Sequence, residues 1–495
     1  SRYYHCFADQ KNSADYAYAF GVNEFVLCAS AYQPWIDKYP GSTAGGKHYC
    51  LNRNNTYWEY SRPFWDYQAR CSALMRKGVP VVDICVYLGQ NPPVKLVTYR
   101  LPEIPEGYDF DVCTAEALVG RTMAVDGRLT LPTGISYSLL VIQRNNDMPL
   151  HVLRHIAGLV KGGVIVCGPR PDGSDSLKDK AESEEYRALV DELWGELTTV
   201  SQIRKVGKGK IYENIPLSEV LKYENIRPDI AIKSGNTAKD KVYFVHRRLS
   251  DADVYFLNNH SDRAFHDTVR LRTDARQAEY WDAVTGQRYM IPVKASGEKG
   301  MLLNLTLAPR ESGFIVTSNN QATGLLPRIA DVQETITPIE GSWNVYFDPR
   351  WGGPGKVVFD ELIDWTVHAD TGIRYYSGTA VYHKELNLAM PAQNERLLLR
   401  FPRLGSLARV WVNGKEVVTV WCSPWEADIT SYVHEGKNNL KIEVVNSLMN
   451  RMIGDASLPE SERFTYAYPQ IATPTDKLVP SGIMEQLNLV YRQCQ

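Results

Sequence analysis

Apolar positions near the start of the chain follow a helical period. Residues 13–20 (Ser-Ala-Asp-Tyr-Ala-Tyr-Ala-Phe) read as a helix, and Gly21-Val22-Asn23 turns into a short apolar run from Glu24 to Ala29, which has the length of a buried strand. From Ser30 to about Tyr57 the chain is polar and aromatic with no period. Helical spacing resumes from Ser61 to Arg76, with Phe64, Tyr67, Cys71, Leu74 and Met75 on one face. Gly78 closes that helix, and Val81 to Leu88 is a second buried strand. A β/α barrel needs eight strands in about 250 residues, and only two are found here. The expectation is that residues 1–95 are the C-terminal part of a (β/α)8 barrel, so that the chain belongs to a longer protein whose N-terminal part is a necessary partner.

The next stretch, 96–235, reads as a flavodoxin-like α/β domain. Leu139 to Gln143 is an apolar strand, Leu150 to Lys161 an amphipathic helix stopped by Gly162-Gly163, and Val164 to Cys167 the next strand. That is one βαβ unit. A charged helix from about Ser176 to Leu197 follows, its charges read as a solvated face. From Lys241 the period becomes two, in the segments 242–246, 252–257, 267–271 and 313–316. This predicts a β-sandwich over 236–320. Ser318 to Pro327 reads as a linker. A second β domain, 328–495, contains the hairpin Ala408–Val412, Asn413-Gly414, Lys415–Val418, because Asn-Gly between alternating strands is the strongest short hairpin signal.

Charge narrows the function. Lys plus Arg number 55 and Asp plus Glu 57, a net charge of −2, which gives no electrostatic drive toward nucleic acid. No apolar run reaches the 18 or so residues of a bilayer span, so no membrane insertion is expected. The 29 Tyr and 11 Trp suit ring-shaped polar ligands such as sugars, and equally suit β-rich cores. Nine Cys with no C-x-x-C pair give no support to a zinc or thioredoxin-like reading.

The long loop after the first strand carries most of the candidate chemistry. In parallel α/β folds the loops at the carboxyl ends of strands form the site, and a loop this long with no period of its own is usually functional. Trp35 and Trp58 are suited to stacking on a sugar face, and Gln33, His48, Asn52 and Arg53 to bonding hydroxyls. These six are the candidate substrate-binding residues; packing of the loop on itself is the competing reading. Glycoside cleavage usually needs two carboxylates. Glu24 precedes its apolar run and so sits at the wrong end of a barrel strand. Asp83 reads as a strand carboxylate with a hydrogen-bond partner, or as ligand-facing. Glu59 and Asp66 face either way. His151 and His155 lie four apart on a helix without the Glu of a metalloprotease motif, and Cys167 reads as core. The catalytic residues are left unknown and no metal ligand is assigned.

The assembly nevertheless resembles a known family. The runs Tyr18–Val26, Ala31-Tyr32-Gln33-Pro34-Trp35, Asn52–Trp58, Gly107-Tyr108-Asp109-Phe110-Asp111, Asp126–Pro132 and Gly168-Pro169-Arg170-Pro171 look like the bacterial α-L-rhamnosidases of glycoside hydrolase family 106. The C-terminal runs Tyr376–Tyr382, Val410–Gly414 and Trp425–Thr430 resemble the galactose-binding-like jelly roll of family 2 enzymes. The resemblance implies inverting hydrolysis of terminal α-L-rhamnose in a plant-type polysaccharide or glycoside. It also implies a rhamnose-containing glycan as partner, a calcium ion not located in this chain, and a periplasmic or extracellular bacterial setting. No residue here matches either catalytic Glu, so the pair is expected upstream of Ser1. The alternatives are a non-catalytic carbohydrate-binding or scaffold protein, or a β-galactosidase-like glycosidase using Glu24.

Overall fold

The computed structural model describes residues 2–28, 31–46, 51–89, 101–143, 148–174, 183–197, 199–235, 241–320, 324–325, 328 and 333–493. The first helix runs Phe7–Tyr18, starting earlier than its pattern predicts. The cause is local: Cys6 N–H donates to the Asp9 carboxylate at 2.9 Å, closing a capping box that has Cys where Ser or Thr is usual. The second helix, Arg62–Met75, buries Phe64, Tyr67, Cys71 and Met75 as its period requires.

The strand expected over Glu24 to Ala29 is not formed by its described residues, Glu24 to Cys28. Residues 22–28 are irregular, and Val26 is 94% exposed. An apolar run makes a strand only where a neighbouring strand takes its N–H and C=O groups, and among the described residues none does. The reading of Val81 to Leu88 as a barrel strand is likewise corrected. Ile84–Tyr87 pairs in parallel with Phe110–Cys113 on one side and Leu139–Ile142 on the other, which puts it in the α/β unit, short of the boundary expected at 95.

That unit is a six-stranded sheet. Its order is Gln202–Val206, Gly209–Glu213, Ile165–Cys167, Leu139–Ile142, Ile84–Tyr87, Phe110–Cys113. All neighbours are parallel except the first pair. Counted along the chain, the parallel strands lie in the doubly wound order 2-1-3-4-6, the flavodoxin pattern with one extra antiparallel edge. The helix Leu150–Lys161 matches its predicted limits and buries Val152, Leu153, Ile156 and Val160. The charged helix is described as Ser183–Trp194; its expected start near Ser176 lies outside the described residues.

A two-sheet sandwich follows, with Val242–Arg248, Ala252–Asn259, Gln277–Trp281 and Ser312–Ser318 in one sheet and Phe265–Leu271 and Met301–Leu307 in the other. The C-terminal unit is a second sandwich. Its larger sheet runs Gly355–Phe359, Trp343–Phe347, Thr379–Leu388, Gly436–Val445, Leu407–Val412, Lys415–Val420. The predicted hairpin turns at Asn413 (φ 51°) and Gly414 (φ 76°), the left-handed pair that Asn-Gly supplies at low cost.

The two N-terminal helices form a wedge between these sandwiches. Phe64, Tyr67, Cys71 and Met75 share one cluster with Val245, Phe256 and Phe314 of the first sandwich and with Leu407, Trp421 and Val445 of the second. Inside it Lys11 pairs with Asp15 at 2.7 Å and donates to Ser312 Oγ at 2.8 Å, while Tyr67 donates to Asp15.

Candidate functional site

The first described part of the loop, residues 31–46, is held by backbone pairing. Pro40–Ser42 forms a parallel ladder with Tyr466–Tyr468 of the C-terminal unit, extended by Thr43 N–H to Tyr468 O at 2.8 Å and Thr43 Oγ1 to Pro469 O at 2.7 Å. This brings Trp35 edge-on to Tyr466, ring centroids 5.0 Å apart, with Tyr468 at 6.4 Å. The Lys38 ammonium lies 4.0 Å from the Tyr466 ring centre and 5.5 Å from that of Trp35. Tyr468 is 64% exposed, and Tyr32 and Ile36 beside Trp35 in sequence are more so. The result is an open aromatic patch bearing one cation, built from segments near opposite ends of the chain. Such a surface stacks on the apolar face of a ring and places a donor at its edge.

The six candidates fare differently. Gln33 serves the loop: its Nε2 donates to Ser42 O and its Oε1 accepts from Ser42 N–H, both at 2.8 Å. With both ends of the amide engaged, Gln33 positions the patch. Asn52 accepts from Asn54 N–H at 2.9 Å in an Asx turn, and its buried Nδ2 finds no acceptor among the described residues. Arg53 is exposed and donates to the carbonyls of Gln33 and Trp35 at 3.3 and 3.4 Å, so its remaining donors sit beside the patch. Trp58 is elsewhere, edge-on to Trp65 of the second helix at 6.4 Å. His48 lies outside the described residues.

Three participants carry no sequence signal strong enough to single them out. Asn54 is buried and donates to Lys38 O, Pro40 O and Gln33 Oε1. Tyr466 and Tyr468 alternate around Ala467, a two-residue period that marks one exposed strand face, but nothing local shows that this strand pairs with residue 40.

Other polar clusters are structural. Asp83 accepts from Ser138 Oγ at 2.6 Å and pairs with Arg272 at 2.7 Å; Arg272 also pairs with Asp229 at 2.7 Å. His246 presents its two ring nitrogens to Asp229 at 2.7 Å and Asp253 at 3.0 Å. Asp83 and Ser138 precede their strands, so this network sits at the amino edge of the parallel sheet, away from the carboxyl edge where such sheets bind ligands. It clamps the α/β unit to the first sandwich. Burial pushes Asp109, next to it, up to about 7, reinforced by Asp111 and Asp229. His155 bonds Thr122 Oγ1 at 3.0 Å, and burial raises the Cys167 thiol to about 11, consistent with core. Glu24 is exposed and pairs with Arg76 at 3.3 Å.

The model of the alpha-L-rhamnosidase family, glycoside hydrolase family 106, matches residues 1–294. The chain belongs to this family. Residues 330–491 match the sugar binding domain of glycosyl hydrolases family 2. A solved rhamnosidase from Novosphingobium sp. PP1Y superposes with a TM-score of 0.89 at 29% identity, over 98% of this chain and 46% of its own. A protein of Formosa agariphila named "Putative beta-glucuronidase" is 23% identical over 91% of this chain and 57% of its own length. The chain therefore spans about half the length of these relatives. For calcium, among the described residues no group of three or more His, Cys, Asp or Glu has metal-holding geometry, so the described residues offer the ion no such cage. No described helix is long and apolar enough to cross a membrane.

Proposed function

We propose that this chain is part of an enzyme that releases terminal α-L-rhamnose from a glycan, and that the patch of Trp35, Tyr466 and Tyr468 with Lys38 and Arg53 is one wall of its substrate site. The observation that carries the reading is the likeness to a rhamnosidase across 98% of the chain at a TM-score of 0.89. The acid and base of an inverting cleavage stand about 6.5–9.5 Å apart. No carboxylate in this chain matches the catalytic pair of the family, so further polypeptide supplies both. The surface suits such a partner. Phe20, Val26, Leu27, Tyr32 and Ile36 are all large, apolar and exposed, and exposed apolar side chains close together in sequence suit a covering partner. In the family the covering part is a β/α barrel, whose rim would face the patch.

The test is hydrolysis of an aryl α-L-rhamnopyranoside by the protein containing this chain, with an aryl β-D-glucuronide in parallel. Rhamnoside cleavage with first release of the inverted anomer is expected. Trp35→Ala should lower kcat/KM about three- to tenfold, the scale of one aromatic contact of about 0.5–1.5 kcal/mol. Cleavage of the glucuronide alone would favour a β-glucuronidase, the activity in the name of the Formosa agariphila relative. Saccharide binding without cleavage of either would favour a scaffold.

A further inference from the structure

The outer face of the larger sheet in the C-terminal unit carries a groove of about 490 Å³, within the range of small-ligand sites. Its floor is one cross-strand row. Asn344 stands opposite His383, His383 opposite Lys441, and Lys441 opposite Trp411. At about 4.8 Å per strand the four side chains span roughly 14 Å, longer than one pyranose ring. None of them is needed for the core, because the alternate residues Trp343, Tyr382, Val410 and Ile442 fill it.

A polar outer face is ordinary for an antiparallel sheet. This one differs in three respects. It is concave and contains a Trp. The Trp411 Nε1–H is buried and meets no acceptor among the described residues, whereas buried donors are normally paired. Most of its charge is matched within the protein: Lys441, whose ammonium also lies 4.5 Å from the Trp411 ring centre, pairs with Glu443 at 2.8 Å and Glu385 with Lys437 at 3.0 Å, while Lys384 donates to the neutral Ser342 carbonyl at 2.8 Å. Burial, helped by Lys441, also holds His383 below its ordinary range, so near pH 7 the ring is neutral, with one donor and one acceptor. The groove thus offers amide, imidazole and indole groups with little net charge.

We infer that this groove is a second carbohydrate-binding site, taking a neutral oligosaccharide laid across the four strands with a ring against Trp411. The site holds the glycan while the cleaved end is presented elsewhere. It does not depend on the rhamnosidase reading, because binding is measured without hydrolysis.

The test is isothermal titration calorimetry of the full chain with cellohexaose, mannohexaose and galactohexaose, and with hexagalacturonate as the acidic counterpart. At least one neutral hexamer is expected to bind. Trp411→Ala should weaken it tenfold or more and Asn344→Ala severalfold. Circular dichroism checks folding, and Asn344→Ala, on an exposed position, keeps the test decisive if Trp411→Ala does not fold. Three results would overturn the inference: no neutral hexamer binds, binding survives both groove variants, or only hexagalacturonate binds in a salt-sensitive way.

Discussion

Asn54 does more for the candidate site than its sequence neighbourhood shows. Its single amide group bonds the carbonyls of Lys38 and Pro40 and the side chain of Gln33. Truncation leaves buried acceptors unmet at about 1–3 kcal/mol. Asn54→Ala is therefore expected to raise amide exchange through residues 33–46 by one to two orders of magnitude, measured by hydrogen–deuterium exchange, with the sandwich strands unchanged. Arg53→Ala should leave that exchange almost unaltered, since its contacts are exposed and long. A second residue sets an acid limit. Burial pushes the Asp253 carboxyl up, but the bond and charge of His246, with Thr273 and Arg248, hold it down at about 2. Its charged form is thus favoured in the fold. The stability it supplies is complete above the ordinary carboxyl value near 3.8 and is lost as pH falls from there toward 2. Asp253→Asn should flatten urea-unfolding stability across that window while lowering it at neutral pH.

At the scale of elements, helices are the most legible. Leu150–Lys161 keeps its predicted limits because an amphipathic stripe and a Gly-Gly stop are both local. The first helix begins early because Asp9 closes its cap on Cys6, a residue that carries no cap signal in sequence. Strands are legible as apolar runs but not as pairings. Ile84–Tyr87 reads as a strand and is one, but it joins a different sheet from the one expected, since its partners Phe110–Cys113 and Leu139–Ile142 lie far onward in the chain. The link between the α/β unit and the first sandwich rests on Arg272, which holds two buried carboxylates at once. Arg272→Ala removes the guanidinium the two carboxylates share, leaving Asp229 its His246 contact and Asp83 its Ser138 bond and Arg128 at 3.8 Å, and an expected loss of about 3 kcal/mol should appear in urea unfolding. Lys437→Ala, which removes an exposed partner of Glu385, should cost under about 1 kcal/mol.

For the whole molecule, the wedge of two helices makes the sandwiches interdependent. A chain ending after residue 320 would bare the apolar surface of the wedge that Leu407, Trp421 and Val445 cover, and should aggregate in size-exclusion chromatography where the full chain does not. The exposed run around Val26 behaves oppositely. Because Val26 is already in solvent, Val26→Asp should leave the melting temperature of this chain unchanged within the scatter of surface substitutions, about 0.5 kcal/mol. The same change in the longer protein should weaken whatever covers it and lower turnover. A loss of stability in the present chain itself would count against Val26 as part of a covering interface.

The sequence alone determined what short-range physics controls. Periodicity set the helices, Asn413-Gly414 the hairpin, and apolar alternation the presence of two β units; the family motifs tied these to a glycosidase. Tertiary structure decided what depends on distant partners. It showed that the Glu24–Ala29 run has no ladder to join among the described residues, and that Gln33 serves its loop. It also showed that Trp35 acquires its aromatic neighbours from Tyr466 and Tyr468. Backbone pairing between two ends of a chain leaves no trace in either segment alone, because the N–H and C=O groups that make it are the same in nearly every residue.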